Sequence, residues 1–304
     1  MSLLSLFKTH GPSGFGYQST AEDVTSGLSL TGRTILITGC NSGLGLEAMR
    51  VLSLRGAHVI GAARTLAKAT EACASVVGLA TPVACDLADP ASVRACVAIV
   101  RQGAQLDAII ANAGIMAPPR LNQAFGYELQ FFTNHIGHFL LVTGLLDRLA
   151  DQARVVALSS SAHRYAPNGG IQFDNLSGDK GYSPWRAYGQ SKLANLLFAK
   201  ELARRFSGTG KTANAVHPGV IKTNLFRSIG IPAPAFDAVA RLFFKTIPQG
   251  AATECFVAVS PGAVGLSGEY LADCNVARPR ADANDPALAK HLWEISEQIV
   301  AGLA

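Results

Sequence analysis

From about Thr31 onward, short runs of Val, Ile, Leu and Ala alternate with longer stretches in which apolar residues recur at helical spacing. The short runs read as strands: RTILIT (33–38), HVIGAA (58–63), TPVAC (81–85), LDAIIA (106–111), RVVALS (154–159) and TANAVH (212–217). The longer stretches read as helices, among them Leu44 to Arg55, Pro90 to Gln102, Asn134 to Ala150 and Trp185 to Phe206. Strands this uniformly apolar need cover on both faces, which a parallel sheet with right-handed helical crossovers supplies. The pattern predicts an α/β fold: a doubly wound parallel β-sheet with helices on both faces. It forms a single domain over residues 32–304, preceded by a polar, glycine-containing arm over 1–31.

A chain of 304 residues that is 49% hydrophobic and 15% charged can bury a core of that size as one domain. The longest uncharged run, Leu129 to Leu146, matches a membrane span in length, but Gln130, Thr133, Asn134, His135, His138 and Thr143 interrupt it, and it reads as a buried helix. The first twenty residues are too weakly apolar, and too broken by Lys8, His10, Gly and Pro, to be expected to act as a signal peptide. Six cysteines without a C-x-x-C pair suggest neither a zinc site nor a disulfide framework, so a reducing, cytoplasmic compartment is expected. The net charge of +5, with no basic run, permits an anionic ligand and does not argue for nucleic acid. A homo-oligomer is compatible with the sequence.

Ligands of doubly wound sheets bind beyond the carboxyl ends of the strands, so the residues that follow each strand hold the chemistry. The first strand runs into TGCNSGLG, with glycines at 39, 43 and 45. Glycines there allow a tight turn and close approach of backbone to a pyrophosphate, and the next helix offers free N–H groups at its positive end. The second strand ends in Ala62 and Ala63, where an acid that binds ribose would be expected, and Arg64 follows. A guanidinium in place of a carboxylate favours a 2′-phosphate, hence NADP(H), because it can pair with that phosphate and the acid would repel it. Asp86, before Leu87, is a candidate for an adenine amino group. Asn112, Ala113 and Gly114 let a dinucleotide pass close to the sheet, and His217 to Thr223 form a Pro-Gly turn with a hydroxyl facing the ligand. Tyr188 and Lys192 in YGQSK lie one helical turn apart on one face, so both can act on one small site.

Taken in order, TGCNSGLG, ANAG, Asn134, LSSS and YGQSK resemble the short-chain dehydrogenase/reductase family, over essentially the whole chain from Thr31. YELQFFTNHIGHFLL (127–141), YSPWRAYGQSKLANLLFA (182–199) and LSGEYLADC (266–274) are similar to its retinol dehydrogenase and WW-domain-containing oxidoreductase branch. The resemblance implies a Rossmann-like fold and an NADP(H)-dependent oxidoreductase for a hydrophobic carbonyl or alcohol. Tyr188 would be the general acid in reduction and the base in oxidation. Lys192 would hold the nicotinamide ribose and lower the phenol's pKa, Ser160 would hold the substrate oxygen, and Asn134 would help order a water relay. A phenol titrating near 10 needs such help near neutrality. Cofactor contacts would come from Gly39, Asn41, Ser42, Gly43, Leu44, Gly45, Arg64, Asp86, Leu87, Asn112, Ala113, Gly114, Tyr188, Lys192, Pro218, Gly219, Val220 and Thr223.

The 28-residue interval from Ser160 to Tyr188 contains an insertion over about 161–187, expected to wall the substrate pocket. The apolar, proline-containing stretch over about 220–246 reads either as a lid or as a helix packed on the core. His135 and His138 are spaced like a metal pair but lack a nearby third ligand, so no metal is expected. A hydrolase built on Ser160 is disfavoured by the absence of a G-x-S-x-G elbow. The rival from another class is a non-enzymatic dinucleotide sensor or interaction protein, which would need only the cofactor half of these residues.

Overall fold

A computed structural model describes residues 10–221 and 244–303. In chain order, α1 (Ala21–Val24) precedes β1 (Thr34–Thr38), α2 (Gly43–Leu54), β2 (His58–Ala63), α3 (Leu66–Ala74), β3 (Ala80–Ala84), α4 (Pro90–Val100) and β4 (Leu106–Ala111). A small hairpin of β5 (Gln123–Ala124) and β6 (Tyr127–Glu128) leads into α5 (Leu129–Phe131), a π-helical turn (Phe132–Ile136) and α6 (Gly137–Thr143). Then come β7 (Leu149–Leu158), α7 (Pro184–Arg205), β8 (Thr212–His217), α8 (Ile247–Val259), β9 (Tyr270–Ala272), β10 (Asn275–Val276) and α9 (Pro286–Ala301).

The main sheet has the order β3-β2-β1-β4-β7-β8-β9-β10. All neighbours in it are parallel except the pair β9 and β10. This is the doubly wound, Rossmann-like sheet expected, with its strand order reversing between β1 and β4, where such folds open a crevice. Period-two alternation sorts the strand residues between the two faces: Leu36 of β1 joins one apolar cluster, Ile35 and Ile37 the other. The Leu36 cluster holds residues of α4, α5, α6, α7 and α9, and the Ile35 cluster holds residues of α1, α2, α3 and α8. Each fully buried Leu or Ile contributes about 1.5–3 kcal/mol relative to exposure.

The described part of the arm lies on this framework. Ala21 and Val24 are buried in the Ile35 cluster, the Phe15 ring packs edge-on against Phe256, and Glu22 pairs with Arg50 at 2.6 Å. The helix expected over 134–150 differs in outline. It begins at Leu129, loosens into the π turn, and ends at Thr143, while Leu149 and Ala150 already belong to β7. Leu149 pairs with Leu106 ahead of a register shift, so sheet pairing overrides the apolar run there.

Candidate active site

The turn after β1 is shaped by glycine where the chain requires it. Gly39 has φ +71°, and a Cβ there would meet Asn112 and Ala113, while a Cβ on Gly45 would overlap the Gly39 carbonyl and the Asn112 amide. The turn is fastened to β2 by the N–H groups of Gly39 and Cys40, which donate to the Ala62 carbonyl at 2.8 and 3.2 Å. The helices α3, α4, α8 and α9 are capped by the side chains of Thr65, Asp89, Thr246 and Asp285. Ser42 at the start of α2 makes no such bond, so the first N–H groups of α2 remain open at the positive end of a 12-residue helix. Asn41 and Ser42 are exposed and Gly43 and Leu44 half-buried, a surface of donors suited to the pyrophosphate of a dinucleotide. The chemistry of this donor set fits such a cofactor.

The adjoining strand ends complete that edge. Arg64, exposed, follows the buried Ala62 and Ala63, and no carboxylate stands at either position. Asp86 accepts the Ala88 N–H at 3.0 Å through one carboxylate oxygen, and Leu87 is buried against Gly137. After β8, Pro218 is buried, Gly219 has φ +89°, and Val220 is 45% exposed. Thr223 and most of the stretch expected to form a lid lie outside the described residues.

Beside this edge, α7 brings Tyr188 and Lys192 to the end of β7. The Lys192 ammonium is buried, donates to the Leu158 carbonyl at 2.9 Å, and lies 5.7 Å from the Tyr188 ring centre. The neighbouring Ser159 hydroxyl donates to the Lys192 carbonyl at 2.7 Å and is thereby committed to the helix–strand joint. Ser160 Oγ accepts the Ala162 N–H at 3.1 Å and lies close enough to the Tyr188 phenol to act on its titration. This geometry separates the three serines: Ser159 is internal, Ser160 meets the phenol, and Ser161 is exposed. Burial pushes the Tyr188 phenol up to about 12, with Ser160 acting downward, and pushes Lys192 down to about 8. Lowering of the phenol by the ammonium, expected from their spacing, is therefore outweighed by burial: the cation sits over the ring and is bonded to a carbonyl.

Asn134 sits fully buried in the π turn. Its side chain grips Ile115 from both ends, accepting from the Ile115 N–H at 2.8 Å and donating to its carbonyl at 3.0 Å, and it donates to Ser191 Oγ at 2.9 Å. A Cβ on Gly114 would stand 3.0 Å from Asn134 Oδ1 and 3.5 Å from Lys192 Nζ. The ANAG segment, Asn134 and Lys192 thus converge on one point.

Two histidines belong to this site although no role in it follows from their spacing. His138 Nε2 lies 2.8 Å from Thr38 Oγ1, and His138 Nδ1 lies 2.9 Å from the Asn134 carbonyl. Thr38 Oγ1 already accepts the N–H groups of Asn112 and Ala113, both at 3.0 Å, so its own hydrogen goes to Nε2 and the ring carries its proton on Nδ1. The ring is neutral, pushed down to about 4 by burial. His163 bonds the Ser160 carbonyl through Nδ1 and accepts the Arg280 N–H at Nε2, tying the Ser160 turn to the C-terminal segment. Its position three residues after Ser160, at the turn that ends a strand, was the available signal. His135 bonds Ser296 on α9 at 2.8 Å, and among the described residues no cluster of three or more His, Cys, Asp or Glu could hold a metal.

A crevice at the switch point of a parallel sheet, lined by a glycine turn and a Tyr–Lys pair, defines a dinucleotide-dependent enzyme fold. The short chain dehydrogenase family profile matches residues 33–232, and the chain belongs to that family. It is 43% identical over 308 residues to the chloroplastic short-chain dehydrogenase TIC 32 B of Brassica napus, covering 96% of each chain. It is 41% identical over 293 residues to human (Homo sapiens) retinol dehydrogenase 14, covering 88% of this chain and 86% of the relative. A crystal structure of an uncharacterized protein from Mycobacterium paratuberculosis superposes with a TM-score of 0.75 at 36% identity, covering 91% of this chain and 97% of that one. A blue fluorescent protein from a metagenomic library, solved in complex with NADPH, superposes with a TM-score of 0.62 at 26% identity, covering 80% of this chain and 97% of that one. No helix among the described residues is long and apolar enough to cross a membrane.

Proposed function

We propose that this member of the family is an NADP(H)-dependent oxidoreductase that interconverts a hydrophobic carbonyl and its alcohol, with Tyr188 as general acid in reduction and general base in oxidation. The observation that carries the reading is the convergence of Tyr188, Ser160, Lys192 and Asn134 beside the glycine turn and Gly114. The cofactor, when bound, supplies or accepts the hydride. The chain's own part is to orient and to move a proton. A phenol held near 12 is a protonated donor at neutral pH, ready to protonate a developing alkoxide. The Ser160 hydroxyl, close to that phenol, holds the substrate oxygen beside it. Lys192 serves the ribose of the nicotinamide. The Asn134 side chain is fully engaged, so its contribution to proton relay falls to its main-chain carbonyl, which also bonds His138 Nδ1.

NADP(H) over NAD(H) is supported by Arg64 and by the absence of a carboxylate at Ala62 and Ala63. A hydrophobic substrate is supported by the exposed Trp185, whose ring meets Tyr188 edge-on at 6.2 Å, and by exposed Tyr165 and Val220. Similarity to a retinol dehydrogenase agrees with an apolar alcohol or aldehyde. A cytoplasmic location belongs to the same reading, supported by six cysteines that are all free thiols, and recovery of the protein in an organelle fraction would overturn it. The test is a panel of aldehydes and ketones with NADPH and with NADH, followed by the absorbance of the reduced cofactor. Turnover with NADPH on apolar members of the panel is expected. Tight NADPH binding with no oxidation across the panel would leave a dinucleotide sensor instead.

A further inference from the structure

On the other side of α7, Ser183, Arg186, Ala187 and Gln190 recur at helical spacing and form one wall of a cavity of about 310 Å³. At roughly 100° per residue this stripe lies nearly opposite Tyr188 and Lys192, so the cavity is separate from the candidate active site. Glu128, Gln172, Asn175 and Lys180 help to close it.

Its unpartnered polar groups are donors. Gln190 is 6% exposed and Asn175 9%. Gln190 Oε1 accepts the Gln172 N–H, and Asn175 Oδ1 accepts the Lys180 N–H, each at 2.9 Å. A backbone N–H can only donate, so both amides are fixed in orientation and the end left free on each is its NH₂. Neither NH₂ has a hydrogen-bond partner among the described residues, so both remain open to a ligand in the cavity. The helix start adds more donors. Ser183 makes no cap bond, Pro184 follows, and the N–H groups of Trp185 and Arg186 stay open at the positive end of a 22-residue helix. The exposed Arg186 guanidinium stands beside them, and Lys180, paired with Asp174 at 3.1 Å, stands at the rim. The one carboxyl in the wall, Glu128, is already bonded: its oxygens accept the Phe131 N–H at 2.8 Å and the Gln130 amide at 3.2 Å.

We propose that this cavity binds a small oxyanion, the phosphate or carboxylate group of a metabolite, at a site separate from the dinucleotide crevice. An oxyanion is the ligand chemistry that satisfies two unpaired NH₂ groups, the Arg186 N–H at the helix start and a guanidinium together. The test is a nitrogen-15 spectrum of the NADP⁺-saturated protein titrated with inorganic phosphate and, separately, with acetate. Saturable shifts are expected at the Trp185 and Arg186 backbone amides and at the Gln190 and Asn175 side-chain amides, while signals of Gly43 to Gly45 report that the dinucleotide crevice stays filled. Response to phosphate alone assigns a tetrahedral ligand, and response to acetate alone a carboxylate. Arg186→Ala should weaken the titration roughly 10- to 100-fold, as for loss of a hydrogen bond to a charged group. Gln190→Glu keeps the shape and the Gln172 bond but replaces the donor with a carboxylate, and should abolish the response while the rest of the spectrum is unchanged. Absence of saturable shifts with either anion, or equal titrations in the native protein and both variants, would overturn the proposal.

Discussion

Two adjacent edges of the sheet use their polar groups in opposite ways. At the ends of β1 and β4, side chains turn inward: Thr38 holds the N–H groups of Asn112 and Ala113 and the ring of His138, and the Asn112 amide donates back to the Thr38 carbonyl at 2.8 Å. What this edge offers a ligand is main chain, the open N–H groups at the start of α2. At the end of β7 and along α7, main chain is consumed by packing, and side chains meet instead: Ser160, Tyr188 and Lys192, the last two with titrations moved by burial. Binding a large anion calls for many fixed, untitrating donors, whereas moving a proton calls for one group whose charge can change. His138 joins the two edges, because it bonds Thr38 on one and the Asn134 carbonyl on the other.

The comparison breaks most severely at Lys192, which the proposed function assigns to both edges. Lys192→Ala should lower turnover by about 10²–10⁴-fold and weaken NADPH binding as well, measured by steady-state kinetics and cofactor titration. Loss of turnover with unchanged NADPH affinity would confine the side chain to the chemical edge. Arg64→Ala acts on the binding edge alone. It should weaken NADPH by roughly 10- to 150-fold and leave NADH unchanged, and equal affinities of the native protein for the two cofactors would reject the 2′-phosphate assignment.

Thr38→Val sharpens the joint between the edges. It keeps the shape of the side chain but leaves two backbone N–H groups and His138 without their partner, so urea unfolding should show a loss of about 1–3 kcal/mol. Glu254 on α8 is a comparison point outside both edges: it is buried, neither carboxyl oxygen has a partner among the described residues, and burial raises its pKa from 4.5 to about 8. Between those values the folded carboxyl keeps a proton that the unfolded one has released, so this group makes stability fall as pH rises, by at most about 1.4 kcal/mol per unit. Glu254→Gln should remove that slope from urea-unfolding midpoints measured across the window, without changing turnover.

The binding edge was the more legible in sequence, because glycines and strand ends announce it. TGCNSGLG, ANAG and the missing acid at Ala62 and Ala63 can be read from residue type alone, and the six expected strands lie within a residue or two of those observed, apart from the earlier start of β7. The π turn at Phe132–Ile136 was not legible, since the segment is buried on every face, Thr133, Asn134 and His135 included, and its period carries no mark of the extra residue. The same blur extended the expected helix past Thr143. The short strand β9, three residues long, offered too little pattern to be seen. α9 did carry signals, Asp285 as cap and Pro286 in its first turn, that periodicity alone did not use. At the chemical edge the spacing of Tyr188 and Lys192 was plain, but the direction of their titration was not, because burial and the Leu158 bond depend on tertiary packing.

The central claim is that Tyr188 moves the proton while the glycine turn and its neighbours hold the cofactor. It is tested most directly by single-turnover oxidation of NADPH by the native protein and by Tyr188→Phe, with NADPH affinity measured on the same samples. The account predicts that the ring without its hydroxyl leaves affinity nearly unchanged and slows the chemical step by about 10²–10⁴-fold. A folded Tyr188→Phe protein that oxidises NADPH with its substrate at the native rate would contradict it.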